Sequence, residues 1–181
     1  MSITGKKVAV LATNGFEDSE LTSPWEALEK AGAVPTMVSP TPDVITGKNG
    51  HGQNVDMLVR EAKALDFDAL MLPGGVVNAD DLRLDHDAVA FVRGFFVEQK
   101  PVGVICHGAW ILADADVLSG RTLTSYPSLR TDLTNAGATW VDQEVVVDSG
   151  LVSSRTPDDL PAFNDKLVEE IGEGQHTGQT L

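Results

Sequence analysis

The chain has one cysteine, one tyrosine and few cations: 13 Lys and Arg stand against 27 Asp and Glu, a net charge of −14 in 181 residues. A single cysteine excludes an intramolecular disulfide framework and fits a reducing cytosol, so a cytoplasmic location is expected. The shortage of clustered cations argues against a nucleic-acid partner, because neutralising a phosphate backbone takes Lys and Arg. The acidity reads instead as a soluble, self-repelling surface. No apolar run approaches the roughly 20 residues that span a bilayer, so no membrane association is expected. The N-terminal residues run straight towards a strand and show no secretory signal pattern. Neither G-x-x-x-x-G-K-[ST] nor G-x-G-x-x-G occurs, which removes the phosphate-loop and dinucleotide fingerprints. His51, His86 and His176 have no metal-ligand spacing with Cys106. No metal and no cofactor are therefore expected.

What is present centres on Ile105-Cys106-His107-Gly108-Ala109. The apolar run Pro101–Ile105 reads as a buried strand, and Ala109–Asp114 is compatible with a helix. A thiol at a strand-to-helix turn sits among converging backbone N–H groups at the positive end of a helix. Those conditions lower a thiol pKa and make a nucleophile. The arrangement has the logic of a nucleophile elbow with sulfur in place of a serine oxygen. The bland alternative is an inert buried cysteine; the His-Gly that follows favours the reactive reading. His107 is a candidate base if a carboxylate orients its ring, and its N–H is a candidate oxyanion donor.

Around this point the chain alternates strands and helices. Lys7–Ala12, Val34–Val38 and Phe67–Leu72 read as strands. Ser23-Pro24-Trp25-Glu26 reads as a capped helix start after an earlier turn over 17–21, and Asp87–Glu98 carries helical periodicity. Residues 40–52 read as a loop or small hairpin, Thr139–Val147 as extended, and Thr156 as the cap of a last helix. Such alternation implies βαβ units and a parallel sheet, with ligands bound beyond the carboxyl ends of the strands. Gly15-Phe16-Glu17, Pro73-Gly74-Gly75 and Cys106-His107-Gly108 all fall at such ends. Glu17 is singled out from the other acids by that position alone, and Gly75 as a second oxyanion donor. For Asp80 and Asp81 the default role is to cap the helix ahead. One domain over residues 1–172 is expected, with a polar, frayed tail over 173–181.

Several segments together resemble the ThiJ/PfpI superfamily. They are Phe16-Glu17-Asp18-Ser19-Glu20, Leu72-Pro73-Gly74-Gly75, Ile105-Cys106-His107-Gly108, Asp142–Asp148 and Ser153-Ser154-Arg155-Thr156-Pro157-Asp158-Asp159-Leu160. The resemblance runs over about residues 7–172. It is nearest to the PfpI-type branch of intracellular cysteine proteases, also described as protein deglycases and general stress proteins. It implies a flavodoxin-like three-layer α/β sandwich with a mainly parallel sheet and a nucleophile elbow, assembled as a homodimer or higher oligomer. Residue by residue, it makes Cys106 the nucleophile and Glu17 the carboxylic acid beside the sulfur. Gly75 and His107 supply the oxyanion-hole amides. Asp80 is the best match to an acid that a neighbouring subunit supplies to a Cys-His-acid triad, and Tyr126 matches a pocket tyrosine. The stretch Ser153–Pro157 lacks the late histidine of glutamine amidotransferases, so glutaminase chemistry is not expected.

Three functions follow from the resemblance and the lone thiol. The first is glyoxalase or deglycase chemistry on small reactive aldehydes or glycated groups. The second is an intracellular cysteine peptidase acting on peptides. The third is a non-enzymatic redox sensor or chaperone-like stress protein.

Overall fold

A computed structural model of the chain describes residues 2–179 and 181. The strands are β1 (Lys7–Leu11), β2 (Val34–Ser39), β3 (Val44–Thr46), β4 (Gly52–Asn54), β5 (Met57–Leu58), β6 (Ala69–Leu72), β7 (Val102–Ile105), β8 (Thr122–Leu123), β9 (Thr139–Trp140), β10 (Val145–Asp148) and β11 (Leu151–Ser154). The helices are α1 (Asp18–Lys30), α2 (Val76–Leu84), α3 (His86–Val97), α4 (Ile111–Asp114), α5 (Arg130–Asn135) and α6 (Leu160–Glu173). Seven strands form one sheet in the order β10-β11-β7-β6-β1-β2-β5. All neighbours are parallel except the β10–β11 hairpin at one edge.

The period-2 alternation of strand side chains divides the core into two layers. Ala9 and Leu11 of β1, Leu70 and Leu72 of β6, and Val102 and Val104 of β7 pack with Phe91, Phe95 and Phe96 of α3. Val8, Val10, Ala69, Met71 and Ile105 face the other way, onto Leu21 and Leu28 of α1 and Phe163 and Leu167 of α6. Strands apolar on both faces are what a sheet covered on both sides requires. The result is a three-layer α/β sandwich with a mainly parallel sheet. The sheet order reverses between β1 and β6, so the carboxyl ends of β1, β6 and the adjoining β7 lie side by side at the switch point.

The structure moves several local expectations. α1 is continuous from Asp18, and Pro24 lies inside it. Pro24 has no N–H to give the carbonyl of Glu20, and packing of the buried Leu21 and Leu28 carries the helix through that loss. Ser23 is therefore no cap; its Oγ accepts from Asn164 Nδ2 at 2.9 Å, tying α1 to α6. Asp80 and Asp81 lie within α2, and Asp85 caps α3, accepting from the Ala88 N–H at 2.8 Å. Thr156 makes no side-chain cap. A 3-10 turn at Pro157–Asp159 precedes α6, and Asp159 grips Arg155. The extended stretch expected over 139–147 splits into β9 and β10. The tail is docked, not frayed: the His176 N–H donates to the Gln99 carbonyl at 2.9 Å and Gln179 is buried. Thr180 of that tail lies outside the described residues. Among the described residues, no helix is long and apolar enough to cross a membrane.

Candidate functional site

Three strand ends build the site. Cys106 follows β7 directly and opens a 3-10 turn, Cys106–Trp110, that leads into α4. Its φ is 61°. A β-carbon is strained in that region, and such strain collects at functional sites held by their surroundings. Here two neighbours hold it. The Tyr126 N–H donates to the Cys106 carbonyl at 3.2 Å. Gly108 lies so close to the Pro73 carbonyl that a β-carbon there would sit 2.8 Å from its oxygen.

The loop after β6 forms the second wall. Gly75 has φ 96°, and a β-carbon on it would meet the Gly15 carbonyl oxygen and the Glu17 nitrogen, the latter at 2.7 Å. Only glycine allows this approach. Asn78, fully buried on α2, fastens the loop. Its Oδ1 accepts from the Thr13 N–H at 2.7 Å, and its Nδ2 donates to the carbonyls of Pro73 at 3.2 Å and Gly74 at 3.1 Å. The N–H groups of Gly75 and His107 then converge on Cys106 Sγ, and both favour the thiolate. Gly75 and His107, the two residues expected to donate to an oxyanion, thus both turn their amides towards the sulfur.

The carboxyl beside the sulfur is Glu20, not Glu17. Glu20 is fully buried; its Oε2 accepts from the Gly74 N–H at 2.9 Å and its carboxyl interacts directly with the Cys106 thiol. Burial raises its pKa to about 7. Glu17 turns outward instead, with its Oε2 2.8 Å from Lys48 Nζ and its Oε1 3.3 Å from Asn49 Nδ2. The reason is helical phase. Glu17 is the residue before α1 and faces the hairpin loop, whereas Glu20, inside the first turn, points under the sheet edge. The loop over 47–51 is held there by Asp18, which accepts from the Asn49 and His51 N–H groups.

The thiol pKa is not simply lowered, as an elbow position implies. Burial raises it first, and the Glu20 carboxylate raises it further, against the two amides. The turn after Cys106 is a short 3-10 segment rather than a long helix, so little helix dipole opposes the burial. The two buried acids are coupled: a negative Glu20 disfavours the thiolate, and a neutral Glu20 removes that penalty.

His107 Nδ1 lies 3.3 Å from Sγ, and its Nε2 lies 3.3 Å from Ser128 Oγ. The ring stacks on Tyr126 with centroids 4.6 Å apart. Burial lowers its pKa, which favours the neutral imidazole. Within the described residues no carboxylate orients it; a hydroxyl and an aromatic face do. Asp80 is exposed on α2, and its side chain has no hydrogen bond or ion pair among the described residues. Tyr126 does line the cleft, about 440 Å³, that opens onto Cys106, together with Lys48, Val76 and Val77. A larger groove between α1 and α6 is lined by Lys30, Asn164, Asp165 and Glu169 and lies away from Cys106.

Glu20, Asn78, Lys48 and Ser128 escaped the sequence reading. Glu20 carried the one available signal, an acid within Phe16-Glu17-Asp18-Ser19-Glu20, one helical turn beyond the residue chosen. As a set, these groups can hold a nucleophilic sulfur, stabilise negative charge on an oxygen beside it, and move a proton at near-neutral pH.

Comparison with known proteins agrees with this architecture. The family model described as the DJ-1/PfpI family matches residues 6–170. A Bacillus subtilis protein named "Putative cysteine protease YraA" is 48% identical over 160 residues, covering 88% of this chain and 94% of that one. A two-domain protein from Anabaena variabilis, with DJ-1/ThiJ/PfpI-like and ferritin-like domains, superposes with a TM-score of 0.89 at 34% identity. That match covers 92% of this chain and 48% of the larger protein. A ThiJ/PfpI domain protein from Brachyspira murdochii gives a TM-score of 0.88 at 25% identity, covering 94% and 98% of the two chains.

Proposed function

Given that this chain belongs to the DJ-1/PfpI family, we propose that it is a cysteine-dependent enzyme of the glyoxalase or deglycase kind, acting on small reactive aldehydes or glycated groups. The observation that carries this reading is the buried Glu20 carboxyl against the Cys106 thiol, with a pKa near 7. Moving protons between neighbouring carbons needs an acid–base group that is half ionised at working pH.

With methylglyoxal, Sγ passes its proton to Glu20 and adds to the aldehyde carbon, forming the C–S bond of a hemithioacetal. The Gly75 and His107 amides stabilise the developing alkoxide, which takes a proton to become a hydroxyl. A base, Glu20 or His107, removes the proton from the former aldehyde carbon as the ketone oxygen takes one up, giving an enediol; a proton is then returned to the former ketone carbon while the hydroxyl on the sulfur-bearing carbon gives up its own and becomes the carbonyl. The product is a lactoyl thioester. Water cleaves its C–S bond, releasing lactate and restoring the thiol, so methylglyoxal plus water gives lactate with no external oxidant.

The test is lactate production from methylglyoxal by the wild type, Cys106→Ala and Glu20→Gln. Lactate from the wild type that disappears in Cys106→Ala and falls sharply in Glu20→Gln is the expected result. Unchanged turnover in Cys106→Ala would overturn the proposal.

The second reading is a cysteine peptidase, favoured by the 3.3 Å approach of His107 Nδ1 to Sγ. It needs an acid behind His107, and the exposed Asp80 of a second copy is the candidate. Cleavage of denatured casein by a verified oligomer, lost in both Cys106→Ala and Asp80→Asn, would support it. No cleavage by that oligomer would remove it.

A further inference from the structure

We propose that Glu170, Glu173 and His176 form a binding site for one divalent transition-metal ion, zinc by chemical preference, at the end of the molecule opposite Cys106. Glu170 and Glu173 lie one turn apart on the last stretch of α6, and the docked tail returns His176 against them. One ligand atom from each residue lies within 4.8 Å of the others.

The closest pair fits a shared ion. His176 Nε2 and Glu170 Oε2 are 3.2 Å apart. Two ligands on a tetrahedral zinc, each at about 2.0–2.1 Å, stand about 3.3 Å apart. Despite that separation, Nε2 makes no hydrogen bond and is shut off from solvent. The Glu170 side chain is 8% exposed, and its ion-pair partner among the described residues is His176. A buried ring nitrogen left without a hydrogen bond beside a carboxylate is costly, and a cation between the two would engage both.

The surroundings hold the ring. A β-carbon on Gly150 would lie 2.7 Å from His176 Cδ2, so the imidazole packs on a glycine surface. The His176 N–H is anchored on the Gln99 carbonyl, and Gln175 Nε2 donates to the Glu98 carbonyl at 3.1 Å. Lys166, the nearby cation on α6, is engaged by Glu169 at 2.7 Å. The carboxylates of Glu173 and Glu169 repel that of Glu170, and Lys166 offsets part of this. Glu173 is exposed and free to close on an ion, leaving the fourth position to water. One imidazole with two carboxylates suits zinc better than magnesium, which seeks six oxygens. Gly150 precedes β11 and Gln99 precedes β7, so an ion here would staple the tail beneath the amino ends of those strands, far from the thiol.

The experiment uses the full chain carrying Cys106→Ala, which removes the competing thiol. Zinc chloride is titrated by equilibrium dialysis at neutral pH, with thermal unfolding followed in parallel. One zinc per chain and a rise in Tm are expected, because an ion bound only by the folded chain stabilises it. Adding Glu173→Gln, an exposed change that leaves the fold intact, should weaken binding by about tenfold or more. His176→Ala should do the same. No saturable uptake, or an affinity in the Glu173→Gln and His176→Ala chains unchanged from the Cys106→Ala parent, would show that Glu170 and His176 form an ion pair only. Equal stabilisation by magnesium chloride would overturn the assignment to a transition ion.

Discussion

The buried carboxyl of Glu20 and the thiol of Cys106 lie against each other beneath the Gly74 amide, and the protonation of either one depends on the other. A negative Glu20 raises the thiol pKa, and a neutral Glu20 removes that penalty. Replacing Glu20 by Gln keeps the volume and removes the charge. The thiol of Glu20→Gln should therefore ionise at lower pH, read as a downward shift in the midpoint of iodoacetamide alkylation. The same variant should lose roughly 100-fold or more in lactate formation, because it cannot accept the proton. Glu17→Gln should stay within a few-fold of wild type, since Glu17 faces Lys48 rather than the sulfur.

Stability should carry the same signature. The Glu20 pKa is raised from 4.5 to about 7 in the folded chain. The folded state therefore holds a proton that the unfolded state releases above pH 4.5. This contribution is fully present below pH 4.5, falls as pH rises towards 7, and is gone beyond it. Its size is on the order of 3 kcal/mol. Urea midpoints measured from pH 4.5 to 8 should fall more steeply for the wild type than for Glu20→Gln. Parallel curves for the two proteins would contradict the assignment.

Gly75→Ala tests the oxyanion wall. The added carbon meets the Gly15 carbonyl and the Glu17 nitrogen, at a positive φ. Overpacking of this kind costs about 1–3 kcal/mol. The displaced N–H would also lower turnover by about 100-fold. Chemical denaturation and lactate kinetics, read together, separate the two effects.

Asn78→Ala tests the loop behind that wall. It leaves the Thr13 N–H buried without its acceptor, and takes a donor from the Pro73 and Gly74 carbonyls. A loss of about 2–4 kcal/mol in unfolding free energy is expected. Alkylation of Cys106 should also change rate, although Asn78 does not touch the sulfur. Asn78→Asp, which keeps the acceptor for Thr13 and loses the donors, should fall between.

Much of this architecture was already written along the chain. Val8–Leu11, Ala69–Leu72 and Val102–Ile105 are apolar without interruption, which a sheet covered on both faces accommodates. Gly75 and Cys106 stand at strand ends, so a parallel sheet brings them together whatever the loops do. What local pattern does not encode is rotation about a helix axis. Glu17 and Glu20 are equivalent as letters, and one turn of α1 decides that the second reaches the thiol while the first meets Lys48. Long-range partners are equally silent in sequence: Asn78 reaches Thr13 across 65 positions, and Ser128 reaches His107 across 21. Composition and periodicity determined the layers, the strand ends and the place of Cys106 at one of them, because burial and alternation are properties of short segments. Tertiary packing alone decided which acid is coupled to the thiol of Cys106 and which residues orient His107, because these depend on where distant segments meet.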